Sequence, residues 1–392
     1  MKKRMLTTAR QGGVAMVAAC CLLVSACDGN RATQTTTEGD MSNDSATTMS
    51  NSSSDSAQLI ENAMKPTGPK PAWGQDLTPA MQTVIEKLAS YNAKPIPELT
   101  AQQARQNPTP TTAVMDLMKE NNLPTPPSGV DTVGKTISVS GGQIHARVYT
   151  PKTGKASYPV IVYYHGGGWV IADLDTYDAS AKGLAEQTDA IVVSVAYRQA
   201  PENKFPTAHN DSFAAYKWAL ANAASMKGDP KKVAVVGESA GGNLAAAVSM
   251  MARDQKVQMP VHQVLVYPIA GYDTNTESYQ KFASAKPLDK PMMEWFFKQY
   301  LRTPADGKNP WINLVGADLK NLPATTIINA QIDPLQTDGM LLADKLKSAG
   351  VTVERKVFDC VTHEFFGMAT VLEQAKDAQK MAVDQLKSAF NK

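Results

Sequence analysis

The hydrophobic pattern changes character along the chain. Lys2, Lys3, Arg4 and Arg10 precede an apolar stretch from about Val14 to Ala26 that ends in small residues. It is too short to span a bilayer and reads as an export signal. From Asp28 to about Ala57 the residues are Ser, Thr, Asn and Asp with almost no large apolar side chain. Such a tract cannot bury enough surface to offset its ordering entropy, so a solvated tether is expected, with a reach of roughly 30 Å. Helical signals begin at Leu77: Thr78 is placed to cap, Pro79 suits the first turn, and Met81, Val84, Ile85 and Leu88 fall on one face. Thr100-Ala101-Gln102-Gln103 has the form of a capping box, Val114, Leu117 and Met118 make a third apolar face, and Pro124, Pro126 and Pro127 close the section. Three short amphipathic helices need another surface to bury against, which predicts a lid or packing arm.

After Asp131 the period shortens. Ile137 to Val139 and Ile144 to Tyr149 alternate, whereas Pro159 to Tyr164, Ala190 to Val195, Lys232 to Val236, Gln263 to Tyr267 and Thr325 to Ala330 are mostly continuous apolar runs. Such runs mark strands covered on both faces. Helical stretches near Ala181 to Thr188, Ala208 to Asn222, Gly242 to Asp254 and Gly339 to Ala349 separate most of them, and Val371, Ala375, Ala378, Ala382, Leu386 and Phe390 stripe a last helix. The expectation is an α/β fold with a mostly parallel central sheet and helices on both faces. The predicted organisation is a signal at 1–26, a tether at 27–75, N-terminal cap helices at 76–130 and a catalytic domain at 131–392.

Composition adds two points. Lys and Arg number 39 against 37 Asp and Glu. All four leader charges are basic, so removal of the leader leaves 39 minus 4, or 35, bases against 37 acids, a net charge of about minus two with no basic patch for nucleic acid. Three of the 4 cysteines, Cys20, Cys21 and Cys27, lie in the leader, so Cys360 has no partner for an internal bridge and the folded part must be stable without disulfides. Leu23-Val24-Ser25-Ala26-Cys27 resembles the lipobox of bacterial lipoproteins. That resemblance implies acylation of Cys27 and a protein exported and anchored to a membrane by lipid; Asp28 resembles an inner-membrane retention signal.

The chemistry starts at Gly237-Glu238-Ser239-Ala240-Gly241-Gly242, directly after one apolar run and before a helical stretch. A bare G-x-S-x-G occurs by chance in about one chain in ten of this length. Between strand and helix, however, a sharp reversal needs glycines on both sides and lifts the serine above the sheet. His165-Gly166-Gly167-Gly168-Trp169 ends another buried run, where three glycines leave backbone N–H groups unshielded for a developing oxyanion, and His165 is expected to anchor this loop. Of the 5 histidines, His145, His209 and His262 sit in strand or helix positions that suit structural roles. His363, after the stretch Val351 to Phe358, is the base expected for Ser239. Asp333 stands at the preceding strand end as its acid, with Asp338 and Glu364 as rivals. The order Ser239, Asp333, His363 is that of an α/β-hydrolase triad.

These motifs, with Tyr197-Arg198-Gln199-Ala200-Pro201-Glu202, Leu265-Val266-Tyr267-Pro268 and Asp333-Pro334-Leu335, resemble the hormone-sensitive-lipase-like α/β-hydrolases from roughly Leu77 to the C-terminus. The resemblance implies that Ser239 is the nucleophile, that His363 and Asp333 complete the triad, and that Gly167, Gly168 and Ala240 supply oxyanion N–H groups. It also implies that an insertion at about 271–310 joins the N-terminal helices as a cap whose aromatic residues wall the pocket. Three positions depart from the family pattern: Gln199 replaces Leu, Thr337-Asp338 replaces Asp-Glu, and Glu364 follows the catalytic His where Gly is common.

The function this implies is a serine carboxylesterase acting on small-molecule esters of short to medium acyl chain through an acyl-enzyme. Other acyl hydrolysis, of amides, lactones or acetylated sugars, and a non-catalytic binding role are the alternatives. No metal or other cofactor is implied, because His363-Glu364 lacks the second His of H-E-x-x-H and no C-x-x-C occurs.

Overall fold

Runs of β-branched and aromatic residues form the centre of a single sheet. A computed structural model describes residues 57–125 and 127–392; the leader, Cys27 and most of the tether lie outside the described residues. The strands are β1 (Val130–Val139), β2 (Gly142–Pro151), β3 (Tyr158–Tyr164), β4 (Ile191–Ala196), β5 (Gly228–Glu238), β6 (Gln263–Val266), β7 (Thr325–Ile332) and β8 (Val353–Thr362). They lie in the order β1-β2-β4-β3-β5-β6-β7-β8. The β1–β2 and β2–β4 pairs are antiparallel, and every pair from β4 to β8 is parallel.

The central strands β3, β4, β6 and β7 are buried on both faces, as continuous apolar strands require. Along β3, Val160, Val162 and Tyr164 enter one core with the helices Thr207–Asn222, Ala240–Asp254 and Gln336–Ser348. Ile161 and Tyr163 enter the other, with Asp178–Thr188 and Glu373–Phe390. That second core also takes Met81 and Val84 from the helix Pro79–Ser90. This helix starts as its sequence predicts: Thr78 Oγ1 accepts a hydrogen bond from Met81 N at 3.1 Å, and Pro79 occupies the first turn. Thr100 and Gln103 close a capping box at Ala101–Ala104, and Pro110–Glu120 buries Ala113, Val114 and Leu117.

Two features differ from expectation. Residues 57–75, assigned to the tether, are in part tied to the domain: Met64 is buried, and Glu86 accepts from Thr67 N at 2.7 Å and Gly68 N at 3.1 Å. The reason is a buried Met and a carboxylate on the neighbouring helix, both outside any periodic pattern. Strand β1 begins at Val130 and not near Ile137, because most of its residues are exposed and carry no apolar alternation. No helix among the described residues is long and apolar enough to cross a membrane.

Candidate active site

The parallel strands deliver the chemistry at their C-terminal ends, where open α/β sheets bind ligands. β5 ends at Glu238 and the helix Ala240–Asp254 starts two residues later, so Ser239 alone makes the reversal. It does so at φ 56° and ψ −118°, a conformation costly for any residue with a Cβ. Its N–H donates to the Val266 carbonyl at 2.8 Å, and its own carbonyl accepts from Ile269 N at 3.2 Å, which pins the turn against the end of β6. Gly241 allows the turn to close on β3, since an added Cβ there would collide with the Tyr164 carbonyl. Glu238, beneath the turn, is buried and accepts from the hydroxyls of Tyr163, at 2.5 Å, and Tyr267. Burial, then the nearby Glu364, push its carboxyl up to about 7.

β7 and β8 pair in parallel with Ile332 opposite Thr362, so Asp333 and His363 leave adjacent strands side by side. Asp333 Oδ2 lies 2.8 Å from His363 Nδ1, and His363 Nε2 lies 3.0 Å from Ser239 Oγ. The carboxylate fixes the tautomer: Nδ1–H donates to Asp333 and Nε2 accepts from the serine hydroxyl. All three side chains are buried. Burial alone would pull the imidazole down, but the Asp333 carboxylate, with Glu364 and Glu238 behind it, raises His363 above its ordinary value. The rival acids stand elsewhere. Asp338 accepts from the backbone N–H groups of Ala270 and Gly271 at 2.9 and 2.8 Å, and Glu364 lies on the Nε2 side of the ring, 4.0 Å away.

The glycine loop leaves β3 beside this pair. Neither Gly167 N–H nor Gly168 N–H donates to an acceptor among the described residues, and Ala240 N–H belongs to a first helical turn, where intrahelical acceptors are missing. Gly167 and Gly168 line the same cavity as Ser239 and Ala240 follows Ser239 directly at the helix start, which makes their N–H groups the candidates for the donor set an oxyanion requires. His165 holds the loop from below: its Nδ1 lies 2.8 Å from the Gly166 carbonyl and its ring stacks on Tyr197 at 4.4 Å between centroids. The Tyr197 hydroxyl donates to the carbonyls of His165 and Gly166. Burial pushes His165 down to about 4, and its Nδ1 is engaged with the Gly166 carbonyl and not with Ser239. An added Cβ at Gly168 would fall within the Phe296 ring. Gly168→Ala is therefore expected to displace the loop and to lower kcat for a p-nitrophenyl ester by 10² or more, with a clear fall in thermal midpoint measured alongside.

Comparison with known proteins bears on the fold and the family. A family model described as alpha/beta hydrolase fold matches residues 161–367. The chain is 34% identical over 322 residues to a carboxylesterase, NlhH, of Mycobacterium tuberculosis, covering 81% of this chain and 97% of that one. The chain belongs to the alpha/beta hydrolase fold family. It is also 30% identical to an ethyl acetate hydrolase of Pseudomonas putida over 79% of this chain and 97% of that one. Among solved structures, an esterase of Pyrobaculum calidifontis superposes with a TM-score of 0.71 at 36% identity, over 80% of this chain and 98% of that one.

In this hydrolase the cap helps to wall a cavity of about 540 Å³ lined by Ser239, His363, Gly167 and Gly168. Ile85 and Leu88 of Pro79–Ser90, with Ile96, form one apolar side; Met292 and Phe296 of the helix Lys290–Tyr300 form another. Most of the insertion's aromatic residues face away from the cavity and hold the cap together: Trp169 stacks on Tyr300 at 4.6 Å, and Tyr279 and Phe297 are buried. Sequence reasoning did not find Arg105, which fastens the cap to the glycine loop. Its Nε donates to the Val170 carbonyl at 2.8 Å, and its guanidinium forks onto Glu202 at 2.9 and 2.7 Å. Gln199, one of the departures, donates to the carbonyls of Ile171 and Ala172, both at 2.8 Å, and so secures the same loop where Leu would only pack. His209 bonds Tyr300 and Asn243, and His262 bonds Thr326, both away from the reacting atoms. His145 is exposed on β2. Among the described residues no cluster of His, Cys, Asp or Glu is arranged to hold a metal ion.

Proposed function

We propose that this chain is a serine carboxylesterase for small esters, with Ser239 as nucleophile, His363 as general base and acid, Asp333 as its orienting carboxylate, and Gly167, Gly168 and Ala240 as oxyanion donors. The single observation that carries this reading is the unbroken relay from Asp333 through His363 to Ser239, at 2.8 and 3.0 Å, at the wall of a cavity. Nε2 takes the hydroxyl proton as Oγ attacks the ester carbonyl, the negative oxygen forms against the loop N–H groups, and the imidazolium returns the proton to the leaving alkoxide. Water then attacks the acyl-enzyme by the same route. The relatives named carboxylesterase, ethyl acetate hydrolase and esterase support the ester as the bond cleaved. Turnover of p-nitrophenyl acetate by the purified chain tests this directly, and absence of turnover contradicts it.

Short to medium acyl chains are the substrates that fit. The cavity volume lies within the roughly 300–1,000 Å³ of small-molecule sites, and its apolar sides come from the cap residues Ile85, Leu88, Ile96, Met292 and Phe296. Soluble butyrate esters are expected to be hydrolysed faster than emulsified long-chain triglyceride. The opposite order in a side-by-side assay overturns this preference.

The place of work follows from residues outside the described ones. Cys27, preceded by Leu-Val-Ser-Ala and followed by a polar tract, supports lipid attachment at the outer side of a bacterial membrane. More than one acyl chain is needed for stable anchoring, each buried methylene contributing about 0.8 kcal/mol. Cys27→Ala is expected to move activity from the membrane to the soluble fraction or to leave unprocessed precursor. A wild-type protein found soluble with an unmodified N-terminus beyond Cys27 contradicts the anchor.

A further inference from the structure

Glu364 has no role in the steps described so far, yet its side chain lines the cavity with Ser239 and His363. Its backbone sits in the left-handed region, φ 70° and ψ 2°, which suits glycine and strains any residue with a Cβ. The chain thus carries a carboxylate at a position where its conformation favours having no side chain. That carboxylate is held: the Tyr177 hydroxyl donates to Oε1 at 2.6 Å. Tyr177 is itself buried against the glycine loop, where its hydroxyl occupies the space a Cβ on Gly166 would need. Glu364 Oε1 stands 4.0 Å from His363 Nε2, beyond hydrogen-bonding distance. The gap suits one bridging water, about 2.8 Å from each.

Once the alcohol product has left the acyl-enzyme, a water must occupy the place next to Nε2. We propose that Glu364 is a water-positioning residue for deacylation, accepting one O–H of the attacking water while His363 Nε2 accepts the other. This rests on the esterase reading above. In the step, a lone pair of the water oxygen forms the new bond to the acyl carbon and the carbonyl π pair moves onto oxygen, opposite the loop N–H groups. The water proton directed at Nε2 transfers to it; the hydrogen directed at Glu364 stays on oxygen. Collapse then breaks the bond between the acyl carbon and Ser239 Oγ, which takes the proton from Nε2, and the carboxylic acid departs. Glu364 exchanges no proton.

The arrangement discriminates between nucleophiles. Water has two O–H groups and satisfies both Nε2 and Glu364. An alcohol has one, so when it attacks through Nε2 it leaves the carboxylate with only the Tyr177 hydroxyl as donor and sets an alkyl group against it. Glu364 therefore favours hydrolysis over transfer of the acyl group to alcohols.

The test is the partition of the acetyl-enzyme formed from p-nitrophenyl acetate in water with a fixed fraction of methanol, measured as methyl acetate against acetate. Single-turnover release of p-nitrophenol reports acylation in the same variants. Glu364→Gly, which suits the backbone, is expected to raise the ester-to-acid ratio about tenfold, a partition of the acyl-enzyme that does not depend on how fast acylation forms it. Glu364→Gln, near-isosteric and retaining one acceptor oxygen, is expected to shift the ratio in the same direction by less, and carries the test if the glycine variant folds poorly. An unchanged ratio, whether or not acylation falls, overturns the proposal and leaves Glu364 with a packing role. A wild-type chain that releases no p-nitrophenol instead overturns the esterase reading on which it rests.

Discussion

Replacing Ser239 or His363 by Ala is expected to lower kcat for a p-nitrophenyl ester by about 10⁶-fold each, with no further loss in the double variant. The non-additivity is the informative part. Nε2 lies 3.0 Å from Oγ, so the serine has no activated nucleophile without the base, and the base has nothing to activate without the serine. Neither change should unfold the protein. The His363 side chain sits in a pocket walled by Asp333, the Tyr267 ring at 4.4 Å and the strand ends. Ser239→Ala removes only a hydroxyl and keeps the strained turn, which is set by backbone hydrogen bonds. Circular dichroism and a thermal melt separate lost chemistry from lost fold. Activity of the His363 variant within tenfold of wild type contradicts the assignment.

Asp333→Asn is expected to cost about 10⁴-fold in kcat, less than loss of the base, because the imidazole remains but its preferred tautomer is inverted. An amide at this position offers Nδ1 a donor as well as an acceptor, so Nε2 comes to carry the proton and stops accepting from Ser239. The same change has a pH signature. His363 must be neutral to act as base, so kcat/KM rises as pH rises through its pKa in the free enzyme. The Asp333 carboxylate, opposing the effect of burial, holds that pKa above the ordinary imidazole value. Removing its charge should move the acid limb of the profile to lower pH even as the plateau falls. An acid limb that stays in place means that another carboxylate faces Nδ1.

The choice between Asp333 and its neighbours shows what was legible in the sequence. The apolar runs located the parallel strands, and Ser239 and His165 to Gly168 were readable because glycine at fixed positions is demanded by one kind of turn. That Asp333 reaches Nδ1, while Asp338 bonds the backbone of Ala270 and Gly271, depends on how the ends of β7 and β8 align. Such register is a property of the assembled sheet. Arg105 was silent for a similar reason: its partners Val170 and Glu202 lie 65 and 97 residues away, and nothing local marks the residue as more than a helix-terminal cation. β1 went short because its exposed residues carry no period, and the tether was drawn too long because a lone Met64 carries none either. Glu364 was visible as a rival acid to Asp333 and as a departure from the family pattern, but not as a residue facing Nε2. Its left-handed backbone explains why Gly suits the position, and the Tyr177 hydroxyl shows where the extra carboxylate is held.

The central claim is that Ser239 is acylated and then released. Mass spectrometry of the chain after acid quench from p-nitrophenyl butyrate, or after reaction with a p-nitrophenyl phosphonate, tests it at the atom concerned. A single acyl or phosphonyl group on the peptide that contains Ser239, absent from the Ser239→Ala variant, is the predicted result; modification at another residue, or sustained turnover with Ser239 unmodified by the phosphonate, contradicts it.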